Sequence, residues 1–449
     1  MRSLSGVLAV AAIALKFVSA DDDTTTCSDD SHCPESSPCC SQYGVCGSGS
    51  YCLGGCNPKF SYSKDACMPM PVCQDSITIF DNYTSKMVNQ YTYLGDASKA
   101  NWTYEGYPID YDDENALIMA MPKNSGGSVI SSTHYMWYGN IKARMKASRG
   151  AGVVSAMIMF SSVQDEIDYE WVGADLEKVQ TNWYWQGALN WTNSKNLTAS
   201  NNNDEYHVYE IDWKEDVITW SVDGEAGRTL FRNTTYNSTS KQYEYPQTPA
   251  RIQLSIWPGG NATNAVGTIE WAGGEIDWDS DDIKDYGYYY SVLESVNITC
   301  YDPPAGTTKN GSEVYQYTGK NSWLESGVII TDGNTVLKDY DNSGLDDNTP
   351  DKSSSSSASS SSSTKSSSGS TKSTSTSSGS SNNKSTGTTA TADVEGSSST
   401  AATGFVQDMS TTSNPTKSTS SASTGSAGGN KNMPYGFGLT LISVLLSMI

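Results

Sequence analysis

Seven of the ten cysteines in this chain lie within one short segment, from Cys27 to Cys56. About 30 residues cannot form a stable core unaided, so in a secreted chain this density indicates disulfide bonds. A zinc site is the alternative, but zinc modules carry paired C-x-x-C spacings, which this segment lacks. The segment therefore predicts a small disulfide-linked module near the start of the chain.

The amino-terminal segment indicates a secretory route. Arg2 precedes an apolar run that is interrupted by Lys16, and small residues end the run at Ala20, just before the acidic Asp21. This pattern predicts a signal peptide over residues 1–20. The mature protein is then expected to be extracellular, where disulfide bonds persist.

The other end of the chain has the pattern of a GPI-anchor signal. Residues 429–449 combine a polar spacer with a terminal apolar tail, and small residues precede them. We place lipid attachment at Gly428, with Ser426 and Asn430 as alternatives. A single membrane-spanning anchor is the competing interpretation, but no basic segment follows the tail. The expected location is the cell wall and the outer leaflet of the plasma membrane.

Composition separates a folded part from an extended one. Residues 351–428 are dominated by Ser, Thr, Gly, Ala and Lys, which cannot bury a core, so we expect a disordered and O-glycosylated stalk. The chain has 28 Lys and Arg against 50 Asp and Glu, and a net charge of -22. No basic cluster could neutralise phosphates, which argues against a nucleic-acid partner. Asn-x-Ser/Thr glycosylation motifs begin at Asn82, Asn101, Asn190, Asn196, Asn233, Asn237, Asn261, Asn297, Asn310 and Asn383.

The cysteine segment, residues 21–57, resembles the hevein-type chitin-binding module through its spacing around "CCSQYGVCGSGSYC". The resemblance implies the pairs Cys27–Cys40, Cys33–Cys46 and Cys39–Cys52. It also implies that Ser41 hydrogen-bonds an N-acetyl group and that Tyr43 and Tyr51 stack on sugar rings. A third aromatic residue of the family is replaced here by Val45, which offers no ring face. For the remaining cysteines, one plausible arrangement is Cys56–Cys67 and Cys73–Cys300, which the sequence does not fix.

Residues 74–300 show many short segments in which apolar and polar residues alternate, separated by Gly, Asn and Asp. This pattern predicts antiparallel strands packed as a sandwich or jelly roll. The predicted strands include Ser76–Phe80, Ala116–Met121, Asn140–Lys146, Val153–Phe160, His207–Trp213, Val217–Val222, Arg251–Trp257 and Thr268–Trp271. Residues 301–350 form a carboxyl-terminal extension to which the sequence assigns no role.

The segment "QDEIDYEWVG", residues 164–173, places three acids at alternate positions. On a strand, Glu166, Asp168 and Glu170 share one face. Ile167, Tyr169 and Trp171 point to the other face, and we assign Trp171 to the core. Packing does not favour three neighbouring carboxylates, but glycoside chemistry needs a pair of them beside the scissile bond. A calcium loop or a solvated strand edge is the alternative for these acids alone.

This segment closely resembles the active strand of glycoside hydrolase family 16, and other segments agree in order: "YGNIKARMK", "YHVYEIDW", "WSVDG" and "LSIWPGG". The resemblance implies a concanavalin-like jelly roll. It makes Glu166 the nucleophile, Glu170 the general acid/base and Asp168 the supporting carboxylate. No cofactor is implied, and the three histidines show no metal-ligand spacing.

A later strand provides further candidates for sugar contacts. Gln253 and Trp257 share a face, so we interpret Trp257 as a sugar platform and Gln253 as its hydrogen-bonding neighbour. Thr268 is expected to cap the same groove, and Glu170 to touch the substrate as well. Core packing is the competing interpretation for Trp257 and Thr268.

The order of these parts resembles the fungal Crh-type cell-wall transglycosylases, in particular those with a chitin-binding module. The resemblance implies a retaining enzyme that cleaves chitin and transfers the chain to β-1,6- or β-1,3-glucan, which crosslinks the wall. Two alternatives remain open. One is a hydrolase of chitin or β-glucan that uses the same residues, and the other is a non-catalytic wall lectin.

Overall fold

The computed structural model describes residues 25–346. The predicted signal peptide, the stalk and the anchor signal with Gly428 lie outside these residues. In the described part, no helix is long and apolar enough to cross a membrane.

Strands make up most of the regular secondary structure of the described chain. The first half, through the strand with the three acids, contains β1 (Cys39–Cys40), β2 (Cys46–Gly47), β3 (Met70–Pro71), β4 (Ser76–Ile79), β5 (Met87–Asn89), β6 (Trp102–Glu105), β7 (Tyr107–Tyr111), β8 (Ala116–Pro122), β9 (Ser128–Ser132), β10 (Gly139–Lys146), β11 (Val153–Ser161) and β12 (Glu166–Val172). The second half contains β13 (Lys178–Tyr184), β14 (Lys195–Thr198), β15 (His207–Trp213), β16 (Val217–Val222), β17 (Glu225–Phe231), β18 (Tyr236–Asn237), β19 (Gln242–Tyr243), β20 (Ala250–Pro258), β21 (Tyr288–Cys300), β22 (Val314–Tyr317) and β23 (Val328–Thr331).

Two short α-helices and several 3-10 turns complete the described chain. The α-helices are α1 (Val266–Trp271) and α2 (Asp281–Tyr286). The 3-10 turns are Gly49–Cys52, Lys64–Ala66, Tyr83–Ser85, Gln90–Thr92, Trp191–Asn193, Arg232–Thr235, Asn321–Trp323 and Glu325–Gly327.

Two sheets of eight strands each form the sandwich within residues 25–346. One runs in the order β17-β16-β15-β10-β21-β8-β7, with β4 paired to β21. The other runs in the order β14-β13-β12-β11-β20-β9-β6-β5 and is antiparallel except for the β5–β6 pair. Half of the strand pairs join consecutive strands and half join strands that are distant in the chain, and this is the predicted jelly-roll topology.

The core lies between the two sheets and is filled from alternate positions of each strand. Tyr169 and Trp171 of β12 meet Tyr209 of β15, with ring centroids 5.6 and 4.5 Å from the Tyr209 ring. All three side chains are fully buried. The expectation that Trp171 belongs to the core is confirmed.

The five disulfide bonds match the expected pairing. The module contains Cys27–Cys40, Cys33–Cys46 and Cys39–Cys52, and the other two bonds are Cys56–Cys67 and Cys73–Cys300. Every cysteine of the module is therefore oxidised, which removes the thiolates that a zinc site would need.

The predicted strand over Thr268–Trp271 was wrong, because this segment is helix α1. Polar and apolar residues alternate over these four positions, but four residues are too few to distinguish a short strand from one turn of helix. Helix α2 was not predicted, although its signals are present. Ser280 accepts a hydrogen bond from the Ile283 amide at the helix start, and Gly287 ends the helix with φ of 86°.

The extension after Cys300 completes the sandwich core. β22 pairs with β3 and β23, and the Tyr315 ring lies edge-on to Trp137 at 5.5 Å. Glu325 pairs with Arg232 at 2.6 Å and accepts a hydrogen bond from the Tyr138 hydroxyl at 2.6 Å. Residues 301–346 are thus packed against the sandwich.

Candidate active site

Strand β12 carries the three acids on the face turned away from the sandwich core. Ile167, Tyr169 and Trp171 lie in the core, so the alternate positions project from the outer face. The exposed fraction is 3% for Glu166, 0% for Asp168 and 3% for Glu170. The shared face predicted from the period of two is therefore observed, and burial rules out the solvated strand edge.

Hydrogen bonds to the backbone fix this strand against the opposite sheet. Trp220 Nε1 donates to the Asp168 carbonyl oxygen at 3.1 Å. In the other direction, the Tyr169 hydroxyl donates to the Ser221 carbonyl oxygen at 2.9 Å. Because both bonds are buried, they hold the middle of β12 in one position.

Several carboxylate oxygens have no hydrogen-bond partner among the described residues. They are Glu166 Oε1, Glu170 Oε1 and both Asp168 oxygens. Buried polar atoms normally find a partner, because an unsatisfied one costs about 1–3 kcal/mol. These oxygens therefore point to a ligand that supplies hydroxyl or N–H donors.

Burial raises the pKa of all three acids, and charge repulsion adds to the effect on the two glutamates. Burial is the larger cause for Glu166 and Glu170, and the charge of Asp168 is the second, with Glu166 adding to the effect on Glu170. Burial also raises the pKa of Asp168, to about 7, against the opposing charge of Arg228. A site of this kind can keep one carboxyl protonated near neutral pH while another is ionised.

Arg228 is a buried cation that sequence reasoning did not identify. Its Nη1 donates to the carbonyl oxygen and the hydroxyl of Thr181, both at 2.7 Å, and its Nη2 donates to the Asn193 carbonyl oxygen at 2.6 Å. The guanidinium also lies 4.6 Å from the Trp220 ring centroid. Arg228 thus joins β13 to the opposite sheet and places a positive charge near the acids.

Tyr184 and Asn182 border the acids on the neighbouring strand. In the β12–β13 register, Tyr184 lies opposite Glu166 and Asn182 opposite Asp168. Asn182 Nδ2 donates to the Tyr184 hydroxyl oxygen at 2.7 Å. The alternating pattern of β13 could have indicated that Asn182 and Tyr184 share one face. That this face lies beside the acids of β12 is known only from the structure.

Gln253 lies in the same row as Asp168, two strands away through Ile158. Its Nε2 donates to Ser131 Oγ at 3.1 Å, whereas its Oε1 has no partner among the described residues. Gln253 is 2% exposed. Gln253 thus presents a buried acceptor on the face that carries the three acids, and its role in sugar binding stays a prediction.

Trp257 lies on the outer face of β20 but is not open to solvent. Its ring is stacked on Trp271 of α1, with centroids 5.9 Å apart and planes at 19°. Trp257 is 2% exposed, whereas Trp271 is partly exposed. Thr268, on the same helix, is buried at 6%. Trp271 is therefore the more accessible ring of this pair, and sequence reasoning assigned it no role.

The three predicted contacts of the hevein-like module differ in accessibility. Ser41 and Tyr51 are partly exposed, but Tyr43 is only 4% exposed. Burial raises the pKa of the Tyr43 hydroxyl, with the charge of Glu105 as the second cause. The Tyr43 side chain is turned toward the sheet that contains β6 and β12. It therefore does not offer the open ring face that stacking on a sugar requires.

Comparisons with known proteins identify the family. Residues 96–273 match the model of glycosyl hydrolases family 16. The chain is 53% identical over 330 residues to Congo red hypersensitive protein 2 of Saccharomyces cerevisiae, covering 74% of this chain and 71% of the relative. It is 53% identical over 348 residues to Crh-like protein 2 of Aspergillus fumigatus, covering 77% and 78%. The chain belongs to the Crh-like proteins of glycosyl hydrolase family 16. It is therefore an enzyme of the glycosidase type.

A solved structure is also similar. The Crh5 transglycosylase in complex with NAG is 27% identical, with a TM-score of 0.48, and the match covers 59% of this chain and 95% of that chain.

Proposed function

We propose that this protein is a retaining transglycosylase that cleaves chitin and transfers the chain to a β-glucan of the fungal cell wall. The buried triad of acids on the outer face of β12 carries the proposal. Membership of the Crh-like family supports it, as does the similar enzyme that was solved with NAG.

The chemistry follows from the roles that family 16 assigns to the two glutamates. Ionised Glu166 attacks the anomeric carbon, and the glycosidic bond breaks as protonated Glu170 gives its proton to the leaving oxygen. The sugar chain is then held as an ester on Glu166. Glu170, now a base, takes the proton of an acceptor hydroxyl whose oxygen bonds to the anomeric carbon and releases Glu166.

Asp168 lies between the two glutamates and shapes their protonation. Its negative charge raises the pKa of both, so it favours the proton on Glu170 that the first step needs. Once the bond to Glu166 has formed, that carboxylate charge is gone and Glu170 loses part of its repulsion. The pKa of Glu170 then falls, so Glu170 stays ionised after it has given up its proton. In this form it can take the proton of the acceptor hydroxyl.

Hydrolysis of chitin or β-glucan with the same residues is the second candidate. Water instead of a glucan hydroxyl at the second step would give it, and the triad serves both reactions. A non-catalytic lectin is disfavoured, since a binding protein has no use for three repelling buried carboxyls.

Secretion, GPI attachment at Gly428 and residence at the wall and outer membrane leaflet belong to the same proposal. They rest on the sequence patterns at the two ends of the chain and on the stalk between residues 351 and 428. We also propose chitin as the ligand of the hevein-like module, through the partly exposed Ser41 and Tyr51.

The test is incubation of the purified protein with chito-oligomers and fluorescent laminari-oligomers, followed by mass analysis of the products. We expect labelled hybrid chains, and unlabelled shorter chito-oligomers alone would favour the hydrolase. The Glu166→Gln variant should form no hybrid, whereas Glu225→Gln, at an exposed position on β17, should match the wild type. Undiminished transfer by Glu166→Gln would contradict the nucleophile assignment.

A further inference from the structure

The hevein-like module lies directly on the outer face of the catalytic sheet. Gln253 Nε2 donates a hydrogen bond to Gln42 Oε1 at 3.2 Å, and the Gly55 amide donates to the Tyr135 hydroxyl oxygen at 2.8 Å. Gly54 is so close to Arg251 that an added Cβ would lie 2.1 Å from Nη1 of that guanidinium. The module thus contacts β20, the strand that carries Gln253.

The sugar-contact side of the module is the side that faces this sheet. Gln42 and Tyr43 follow Ser41 directly and are 8% and 4% exposed. Glu105 of β6 contributes to the raised pKa of both Tyr43 and Tyr51, after the larger effect of burial. A module on a free tether would leave these side chains in solvent, and here they are partly or wholly covered.

Residues of the extension hold the module in this orientation. The Gly49 amide donates to the Asn342 carbonyl oxygen at 2.8 Å, and the Gly344 amide donates to the Ala66 carbonyl oxygen at 2.8 Å. Leu337 is 1% exposed and packs in a cluster with the cysteines of the module. The module and the segment that follows it are therefore fixed by contacts with residues 337–344, which lie far after them in the chain.

Gln253 brings this interface close to the reacting bond. It is two strands from Asp168, which corresponds to roughly 10 Å across the sheet. Its Nε2 is occupied by Gln42 and Ser131, so its Oε1 is turned to a side where no described residue donates to it. Gln253 is 2% exposed, and its Oε1 is a buried acceptor without a donor among the described residues. Such an atom suits a hydroxyl or an acetamide N–H of a bound sugar.

We propose that the module is an end wall of the substrate groove, and that Gln42 is a positioning residue that orients the Gln253 amide toward the donor sugar. This inference rests on the proposed function and assigns the module a part in the same site. The module would then determine how long a chito-oligomer the groove holds, besides any binding of chitin outside the groove.

The first experiment measures binding without turnover. In the full-length Glu166→Gln protein, we expect Gln42→Ala to weaken the binding of chitopentaose by about fivefold, the loss of about one hydrogen bond. Gln253→Ala should have a similar effect, and the double variant should be no weaker than the weaker single variant, because Gln42 acts through Gln253. Additive losses, or unchanged binding by Gln42→Ala, would overturn the inference.

The second experiment separates positioning from general destabilisation. In the active protein, Gln42→Ala should raise KM for chitopentaose about fivefold while kcat stays within about twofold. Glu35→Ala, an exposed site on the same module, is the matched control and should leave both constants unchanged. A fall of kcat with no change in KM would indicate loss of folded enzyme and count against positioning.

A wedge variant tests the interface itself. Gly54→Val should push against Arg251 and weaken the same oligosaccharide binding, with increased hydrogen exchange in residues 42–55. Unchanged exchange and binding would show that the module does not form a wall. The proposed function fails separately, since wild-type protein would then neither bind chitopentaose nor transfer from it.

Discussion

The Thr248 hydroxyl donates a hydrogen bond of 2.7 Å to the carboxylate of Asp165, and this contact ties together the starts of the two strands that carry the site. Asp165 immediately precedes Glu166 on β12, and Thr248 lies just before β20 with Gln253. The same carboxylate also accepts from the backbone amides of Gln186, Gln247 and Thr248, at 3.0, 2.9 and 3.1 Å. One buried side chain thus fixes where Glu166, the proposed nucleophile, enters the sheet.

Replacing Asp165 should therefore affect both stability and catalysis. Asp165→Ala leaves buried amides without an acceptor, and we expect it to lower the free energy of unfolding by about 3 kcal/mol or more. Asp165→Asn keeps one oxygen and should lose less. Urea unfolding measures the first effect, and kcat of the folded fraction should fall because Glu166 shifts. Equal stability of the alanine variant and the wild type would be inconsistent with this role.

Asp168→Asn should move the pH profile of activity to lower pH. The charge of Asp168 raises the pKa of Glu170 and Glu166, so its removal lowers both. Glu170 then loses its catalytic proton at a lower pH, so the alkaline limb of the profile shifts to lower pH. The acid limb shifts to lower pH as well, because the pKa of Glu166 also falls. The measurement is kcat/KM against pH with a fluorescent chito-oligomer. An alkaline limb that stays in place would argue against this coupling.

Arg228→Met should destabilise the protein and raise the pKa of Asp168. The variant leaves the carbonyl oxygens of Thr181 and Asn193 without their donor, which we expect to cost about 2–4 kcal/mol. It also removes the positive charge that opposes the effect of burial on Asp168. Thermal unfolding and a carbon NMR titration of the aspartate carboxyls measure the two effects. Arg228→Lys is the control, since it keeps the charge but not the paired donors.

Trp271→Ala should weaken binding of the donor more than it slows the reaction. Trp271 covers Trp257 and donates to Gln180 Oε1 at 2.9 Å, and Gln180 lies opposite Glu170 on the next strand. We expect a rise in KM of about fivefold to tenfold, the contribution of about one aromatic contact. Trp271→Phe retains a ring without the N–H, so its KM should lie between those of the wild type and Trp271→Ala. An unchanged KM for Trp271→Ala would exclude this ring from the groove.

Local patterns predicted the strands and the shared face of the acids, because these depend on a period of two along one segment. The bounds of His207–Trp213 and Val217–Val222 agree with the observed strands, and Glu166, Asp168 and Glu170 project together from β12. The pairing of the ten cysteines also agreed with the expectation, since six of them follow a spacing that the hevein-type family shares.

Only the tertiary structure decided what surrounds those acids. Arg228 of β17 reaches the site from the opposite sheet, where its guanidinium bonds Thr181 of β13, and no local pattern records that contact. The helix over Val266–Trp271 replaced a predicted strand, since so short a segment does not distinguish the period of a strand from that of a helix. The contact of Gln42 with Gln253 joins residues 211 positions apart. Sequence alone thus determined which face of a strand carries the chemistry, and long-range packing determined what closes over it.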